Sequence, residues 1–187
     1  MSTSPLPSFE EALKSTEARL TKSLGQSCRL QIKRRLDDDL IKEIRRIESE
    51  TFRQELRYEV EELLSRHREK EFLLFLVLCA DQPIAFLHGY KDPSEESAFF
   101  LDTVATLREG RGVGSILVAL TLLYSFERGY ESVTLRTEEQ DEKGRRLVHF
   151  YENLGFETFQ CDPSEGVAMR RRLDPLSLQT ILEKLLS

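Results

Sequence analysis

The feature that most constrains the fold is a glycine-rich segment between two apolar runs. Residues 109–115 read Glu-Gly-Arg-Gly-Val-Gly-Ser. The run before them, residues 98–106, is strand-like, and residues 113–128 place apolar side chains at helical spacing. The pattern predicts a strand, a tight turn and a helix. The free N–H groups at the start of that helix would point at the turn and form an anion site.

The residue types in the turn favour a pyrophosphate cradle. Its three glycines let the backbone approach a ligand closely, and Arg108 and Arg111 add positive charge. A dinucleotide fingerprint would need glycine where Ser115 stands, and no Lys-Ser or Lys-Thr pair follows to make a P-loop. The alternative is an ordinary surface turn before a helix.

Length and charge bound the function. The chain has 187 residues, which suggests one domain with a real core, and its net charge of −6 argues against nucleic-acid binding. An acidic surface favours a cationic partner such as an amine. The longest apolar run, residues 72–80, is too short to span a bilayer, and the N-terminus has no basic-then-apolar signal. We therefore expect a cytoplasmic protein that binds no membrane.

The cysteines do not suggest a metal or redox site. Cys28, Cys79 and Cys161 are odd in number and far apart, and no C-x-x-C pair occurs. We expect reduced thiols in or near the core, and no metal.

Periodicity and turn residues predict the remaining elements. Residues 1–7 read as a disordered tail, and a capping box at Ser8 starts an accessory helix that Gly25 ends. This helix packs either on its own chain or on a second subunit. Residues 72–80, 84–90 and 98–106 form an antiparallel meander, and the crossover to residues 132–137 makes a parallel pair. The other predicted elements are a strand at 29–36, helices beginning at Asp37 and near Tyr58, a helix at 144–154, a hairpin of 156–161 and 166–173, and a terminal helix after Asp174.

This order of elements resembles that of the Gcn5-related N-acetyltransferase (GNAT) superfamily. The family's acetyl-CoA motif, [Gln/Arg]-x-x-Gly-x-[Gly/Ala], reads Glu-Gly-Arg-Gly-Val-Gly here, so Glu109 departs from its first position. A second signature, an aromatic helix end, reads Phe-Tyr-Glu-Asn-Leu-Gly-Phe at residues 150–156.

The resemblance implies an α/β (α+β) fold. Its central sheet would be mixed but mostly antiparallel, with six to seven strands splayed between the fourth and fifth and with helices flanking it. The family domain would cover residues 30–173. An N-terminal tail and accessory helix (1–29) and a C-terminal helix (174–187) would lie outside it.

The resemblance also implies a cosubstrate and a reaction. Acetyl-CoA would give its acetyl group directly to a primary amine, without a metal or an acyl-enzyme. The pantetheine arm would run along Val104, Ala105 and Thr106. The diphosphate would meet the turn and the first helical residues, namely Gly110, Arg111, Gly112, Val113, Gly114 and Ser115.

The resemblance implies catalytic roles for fewer residues. Tyr151 matches the tyrosine that protonates or hydrogen-bonds the CoA sulfur; the alternative is that its ring only packs. The family's base positions fall on Ala98 and Arg136, which cannot serve. Glu138 is the substitute candidate, Asp102 and His149 are others, and a water chain is a further route.

The acceptor and the partners stay open at this point. Carboxylates and aromatics near the first two helices suit a cationic acceptor, a peptide or protein amino group or a polyamine-like molecule; a solvated helix face is the alternative. These residues are Phe52, Glu55, Tyr58 and Glu59.

Gly144 stands where many family members carry a CoA-contacting Asn. The rival to an enzyme is a non-catalytic acyl-CoA-binding or partner-binding module, and the end helices make a homodimer an option.

Overall fold

The computed structural model describes residues 6–186, so most of the predicted disordered tail lies outside the described residues. Helices and strands occur in nearly the predicted order. The elements are α1 (Phe9–Leu24), β1 (Cys28–Lys33), α2 (Asp38–Thr51), a 3-10 helix (Gln54–Leu56), α3 (Val60–Arg66), β2 (Leu73–Cys79), β3 (Gln82–Lys91), β4 (Ala98–Thr106), α4 (Val113–Glu127), β5 (Ser132–Thr137), α5 (Leu147–Glu152), β6 (Glu157–Asp162), β7 (Gly166–Arg172) and α6 (Pro175–Leu186).

The strands form one seven-stranded sheet in the order β1-β2-β3-β4-β5-β7-β6. Every neighbouring pair is antiparallel except β4 and β5, which are parallel because α4 crosses over between them. The predicted mixed sheet is confirmed.

The parallel pair parts halfway along β4. Pairing runs from Ala98 with Ser132 to Leu101 with Leu135, and the ladder ends there. Beyond that point β4 continues along β3 and β5 continues along β7, so the strands splay as predicted. The backbone edge of β4 that faces β5 is therefore left open from residue 102 onward.

A bulge in β4 lies at the point of parting. His88 pairs with Thr103 and Gly89 pairs with Leu101, which leaves Asp102 as an extra residue on β4. A Cβ atom at Gly89 would lie inside the contact distance of the Phe100 carbonyl oxygen, so only glycine allows this close approach. Bulges redirect side chains and are frequent next to active sites.

Helices cover both faces of the sheet. Helices α2 and α3 bury Ile44, Ile47 and Leu63 on one face, whereas α4 fills the other. Both end helices belong to this second core. Leu20 of α1 and Leu178 of α6 are fully buried in it, so each packs on its own chain.

The ends of α1 confirm two local predictions. Ser8 accepts a hydrogen bond from Glu11 N and closes the predicted capping box, and Gly25 ends the helix in the left-handed conformation. The predicted helix at 144–154 is shorter, Leu147–Glu152, because Gly144 takes a positive φ in a turn.

The prediction of three reduced cysteines is wrong, although Cys28 and Cys79 do lie in the core. Cys28 and Cys79 pair directly across β1 and β2 and form a disulfide, and Cys161 is exposed rather than buried. Antiparallel register, which spacing along the chain does not reveal, brings the two sulfurs together.

Removing the disulfide tests this pairing. Because the bond closes a loop with a sequence separation of 51, Cys28→Ser with Cys79→Ser should lower the free energy of unfolding by about 2–4 kcal/mol. Urea denaturation measures the change, and Cys161→Ser is the matched control that should have little effect. Titration of three free thiols in the unreduced protein would contradict the disulfide.

Candidate active site

The glycine turn lies at the open side of the splayed strands and begins α4. Gly110 and Gly112 have positive φ values of 70° and 76°, and Gly112 is the N-cap. Ile116 donates the first intrahelical bond to the Gly112 carbonyl, so the N–H groups of residues 113–115 lack a partner within the helix. No described heavy atom beyond the chain neighbours lies within 4 Å of a Cβ placed at either glycine. The space beside the turn is open to a ligand, as a phosphate cradle requires.

Helix α5 packs on this turn and carries Tyr151. A Cβ at Gly114 would lie 3.7 Å from Phe150 Cζ, which is ordinary contact. The Tyr151 ring lies 4.9 Å from Phe150 and 5.7 Å from Phe156, centroid to centroid. The two sequence signatures therefore meet. Burial raises the pKa of the Tyr151 phenol, so it keeps its proton at neutral pH and is a hydrogen-bond donor.

The unusual Glu109 has a structural explanation. Its carboxylate binds Lys143 Nζ and Arg145 Nη1, each at 2.9 Å, from the loop between β5 and α5. These contacts, chiefly the hydrogen bond from Lys143, lower the pKa of Glu109. The loop is itself ordered, since Asp141 Oδ1 accepts hydrogen bonds from Lys143 N and Arg145 N. Two cations thus stand beside the glycine turn, although the motif position itself is acidic.

The segment predicted to meet the pantetheine arm borders the gap. Val104, Ala105 and Thr106 pair with Leu87, Phe86 and Ala85 of β3 on one side. On the other side the β5 ladder has already ended. Alternate residues of such an edge present N–H and C=O groups to a ligand.

Glu138 follows β5 at the far side of the gap. Its side chain is 35% exposed, and Oε1 accepts a hydrogen bond from Arg53, which follows α2. This ion pair joins the α2–α3 segment to the end of β5. The other expected base positions differ in surroundings: Ala98 is fully buried, and Arg136 pairs with Glu165 at 2.8 Å.

His149 lies elsewhere. It is exposed on α5, pairs with Glu152 at 3.5 Å and lines a cleft of about 280 Å³ together with Glu139 and Cys161. None of these neighbours belongs to β4 or β5, so its described contacts do not place it at the gap between those strands.

A buried polar cluster lies on the α2–α3 face at the β4 bulge. The Tyr58 hydroxyl donates a 2.7 Å hydrogen bond to Asp102 Oδ1. Asp102 Oδ2 lies 3.6 Å from Arg66 Nε and 3.7 Å from His88 Nδ1. Burial raises the pKa of Tyr58 and lowers that of His88, so both are neutral at pH 7.

Glu48 completes this cluster from α2. It is 1% exposed, and its Oε2 accepts a 3.3 Å hydrogen bond from Tyr58 N. Burial raises its pKa to about 7.

Sequence reasoning named Tyr58 and Asp102 separately and missed the other members. The available signal was a polar residue at a core position. His88 interrupts an apolar strand, and Glu48 stands four residues after the buried Ile44. Of the other residues expected near an acceptor, Phe52 packs on the α2–α3 core, Glu55 lies 3.8 Å from Arg53, and Glu59 caps α3.

Within residues 6–186, no group of three or more His, Cys, Asp or Glu side chains is arranged to hold a metal ion. Nor does any helix in that range have the length and apolar character needed to cross a membrane.

Comparison with known proteins gives a family and a fold. A family model described as Acetyltransferase (GNAT) family matches residues 38–156. The ribosomal-protein-S18-alanine N-acetyltransferase of Escherichia coli superposes with a TM-score of 0.61 at 15% identity, covering 78% of this chain and 94% of that one.

Two further solved structures are similar. The PaiA N-acetyltransferase of Thermoplasma acidophilum in complex with coenzyme A has a TM-score of 0.57 at 15% identity, covering 76% and 98% of the two chains. The aminoglycoside 6'-N-acetyltransferase of Enterococcus faecium has a TM-score of 0.61 at 15% identity, covering 78% and 98%. At these identities the likeness establishes the fold. A comparison with curated protein sequences gave no significant match.

The raised pKa of Glu48 predicts the sign of a pH effect. Between the ordinary value of 4.5 and about 7, the folded state keeps a proton that the unfolded state loses, so this group makes stability fall as pH rises. Glu48→Gln keeps the acceptor for Tyr58 N, and it should remove this loss and raise the free energy of unfolding at pH 8 by about 3 kcal/mol. Urea denaturation at pH 5 and pH 8 measures it.

Glu50→Gln, an exposed change on the same helix, is the control and should leave the slope unchanged. If the stability of the Glu48→Gln protein falls between pH 5 and pH 8 as steeply as that of the parent, the pKa of Glu48 is not raised.

Proposed function

Because the chain belongs to the acetyltransferase (GNAT) family, we propose that it transfers an acetyl group from acetyl-CoA directly to a primary amine. The acceptor is a peptide or protein amino group or a small polyamine-like amine. Named N-acetyltransferases among the structural neighbours, one of them bound to coenzyme A, support this class of reaction.

One observation supports the proposal: the glycine turn directly follows the open edge of β4, and the helix that carries Tyr151 packs beside the start of α4. The turn offers unpaired N–H groups and open space for a diphosphate. The open edge offers main-chain groups from residue 102 onward for an extended arm. Phe150 lies beside Gly114, and its ring packs against that of Tyr151 at 4.9 Å.

Lys143 and Arg145 are proposed to assist the turn with the phosphates. The Arg or Gln of the family motif is missing at Glu109, and these two cations stand 2.9 Å from that carboxylate. Asp141 also pairs with Arg145, so these two cations balance two carboxylates. A diphosphate that bound beside the turn would attract both cations.

The buried phenol of Tyr151 is proposed to serve the leaving group. When the C–S bond breaks, its electron pair stays on sulfur, and a protonated phenol can donate a hydrogen bond or its proton to that thiolate. The high pKa of Tyr151 ensures that the proton is present when the thiolate forms.

Two carboxylates near the gap are candidates to accept the proton of the amine. Glu138 is the sequence-based proposal and pairs with Arg53. Asp102 is covered by the α2–α3 segment. A cytoplasmic location and a homodimer remain predictions from the sequence.

The rival function is a non-catalytic acyl-CoA-binding or partner-binding module. The missing family base at Ala98 and the acidic Glu109 favour it. It predicts that CoA raises the melting temperature while no amine is acetylated.

Tyr151→Phe separates these functions. We expect thiol release from acetyl-CoA with short peptides, spermidine or an aminoglycoside, and a fall in kcat of ~100-fold in the variant, because the leaving thiolate loses its donor. CoA binding should stay within about twofold. Tyr130→Phe is the matched control, since Tyr130 is equally buried in the same core. If acetyl-CoA releases no thiol with any of these acceptors while CoA still binds, the binding module is favoured.

Glu109→Gln tests the electrostatics of the turn. Removing the carboxylate should free Lys143 and leave Arg145 paired only with Asp141. CoA binding should therefore tighten about threefold at low salt. Calorimetry at about 50 and 500 mM salt should show the gain shrink as screening increases. Glu10→Gln, which breaks an exposed ion pair with Lys14 on α1, is the control. Weaker binding in Glu109→Gln would contradict a role for the two cations.

A further inference from the structure

The family's base positions cannot act in this chain, so the proton of the acceptor amine needs another destination. Asp102 stands at a distinctive place, since it directly follows Leu101, the last β4 residue paired with β5. It is also the bulge residue, without a partner on β3. The residue as a whole is half-buried while its side chain is only 6% exposed. Its exposure is therefore on the main chain, at the gap.

The Asp102 side chain lies in an incompletely satisfied environment. Oδ1 accepts the Tyr58 hydrogen bond, but Oδ2 has no hydrogen-bond partner among the described residues. Arg66 and His88 approach it only to 3.6 and 3.7 Å, beyond hydrogen-bond range. Buried carboxylate oxygens are normally paired, because an unpaired one loses its hydration without compensation. A catalytic role is one explanation for such an exception, and a bound water is another. Other buried polar atoms of this fold, such as Thr16 Oγ1 and Ser125 Oγ, are also unpaired, so the Tyr58 hydrogen bond is needed as well to distinguish Asp102.

Tyr58 lies between this carboxylate and the segment proposed to face the acceptor. It is half-buried, and it stands between the 3-10 helix and α3. Its hydroxyl is fixed by Asp102 at 2.7 Å, its ring lies under the Arg66 guanidinium at 5.5 Å, and its N–H is held by Glu48 at 3.3 Å. Three contacts thus orient one phenol oxygen.

We infer that Tyr58 and Asp102 form the proton-accepting pair for the acceptor amine, an inference that rests on the proposed function. Tyr58 Oη takes a proton from the amine nitrogen while its own proton passes to Asp102 Oδ1. Of the three protons of the ammonium, one leaves by this route to water, one ends on the CoA sulfur, and one stays in the amide. The C–N bond forms as the C–S bond breaks, so charge and atoms balance.

Glu138 is less suited to this role. Its Oε1 is bound to Arg53, its side chain is 35% exposed, and its buried Oε2, like Asp102 Oδ2, has no hydrogen-bond partner among the described residues. The Tyr58 hydroxyl distinguishes Asp102, because no phenol or imidazole within residues 6–186 hydrogen-bonds to Glu138.

The test compares Asp102→Asn, Tyr58→Phe and the double variant, using the best acceptor from short peptides, spermidine and an aminoglycoside. At pH 7 each single change should lower kcat/KM by ~100-fold. At a pH one unit above the pKa of the acceptor nitrogen, the loss of kcat/KM should shrink to less than about fivefold, because most of the amine is then already neutral. The kcat/KM of the double variant should lie no more than about threefold below that of the less active single variant, since the two groups act as one unit.

Several titratable and charged groups face this pair and must be considered in the pH profile. They are Glu48 from α2, Arg66 from α3, and His88 and Tyr90 from β3. Glu48→Gln should leave the pH dependence of the Asp102→Asn loss intact. Asp81→Asn removes a carboxylate paired with Arg29 in a distant turn and is the matched control.

CoA binding and melting temperature show whether each variant is folded. A loss in Asp102→Asn that is the same at every pH, or multiplicative losses in the double variant, would overturn the inference. So would a loss confined to Glu138→Gln. A parent protein that acetylates none of these amines would overturn the proposed function and this inference with it.

Discussion

The end of hydrogen bonding between β4 and β5 is the constraint on which the rest of the site depends. After Leu101 and Leu135 the two strands follow different neighbours, so a length of β4 backbone has no strand partner on one edge within residues 6–186. Such an edge must be satisfied by water or by a ligand. The crossover helix α4 begins after this part of β4, and the N–H groups of residues 113–115 have no main-chain partner among the described residues. The edge of β4 and the start of α4 thus both offer main-chain hydrogen-bonding groups to a ligand.

Side chains add charge and proton-transfer groups to this backbone frame. On the α4 face, Lys143 and Arg145 offset the acidic Glu109, and Phe150 holds α5 against the turn. On the α2–α3 face the bulge inserts Asp102 beneath Tyr58. The turn proposed to bind the diphosphate begins the helix on one face of the sheet, and the pair proposed to accept the proton lies on the other face. This arrangement would suit the proposed reaction between an anionic carrier and a cationic acceptor.

Local patterns predicted most of the frame because local physics determines it. The capping box at Ser8, the glycine at 112 and the apolar run of β2 each act over a few residues. The Cys28–Cys79 bond, the Glu109–Lys143 pair and the Tyr58–Asp102 hydrogen bond join residues that lie 34 to 51 positions apart. These contacts depend on strand register and loop path, which composition and periodicity do not encode. The disulfide was therefore mispredicted, and the polar cluster was recognised only in part.

Amide hydrogen exchange with and without saturating CoA tests the central claim most directly, because it reads the main-chain groups themselves. Binding should slow exchange in peptides covering residues 102–106 and 110–115 and leave α1 and β6 unchanged. Equal exchange in these two segments at saturating CoA, or protection confined to other parts of the chain, would show that the gap between β4 and β5 does not bind the carrier.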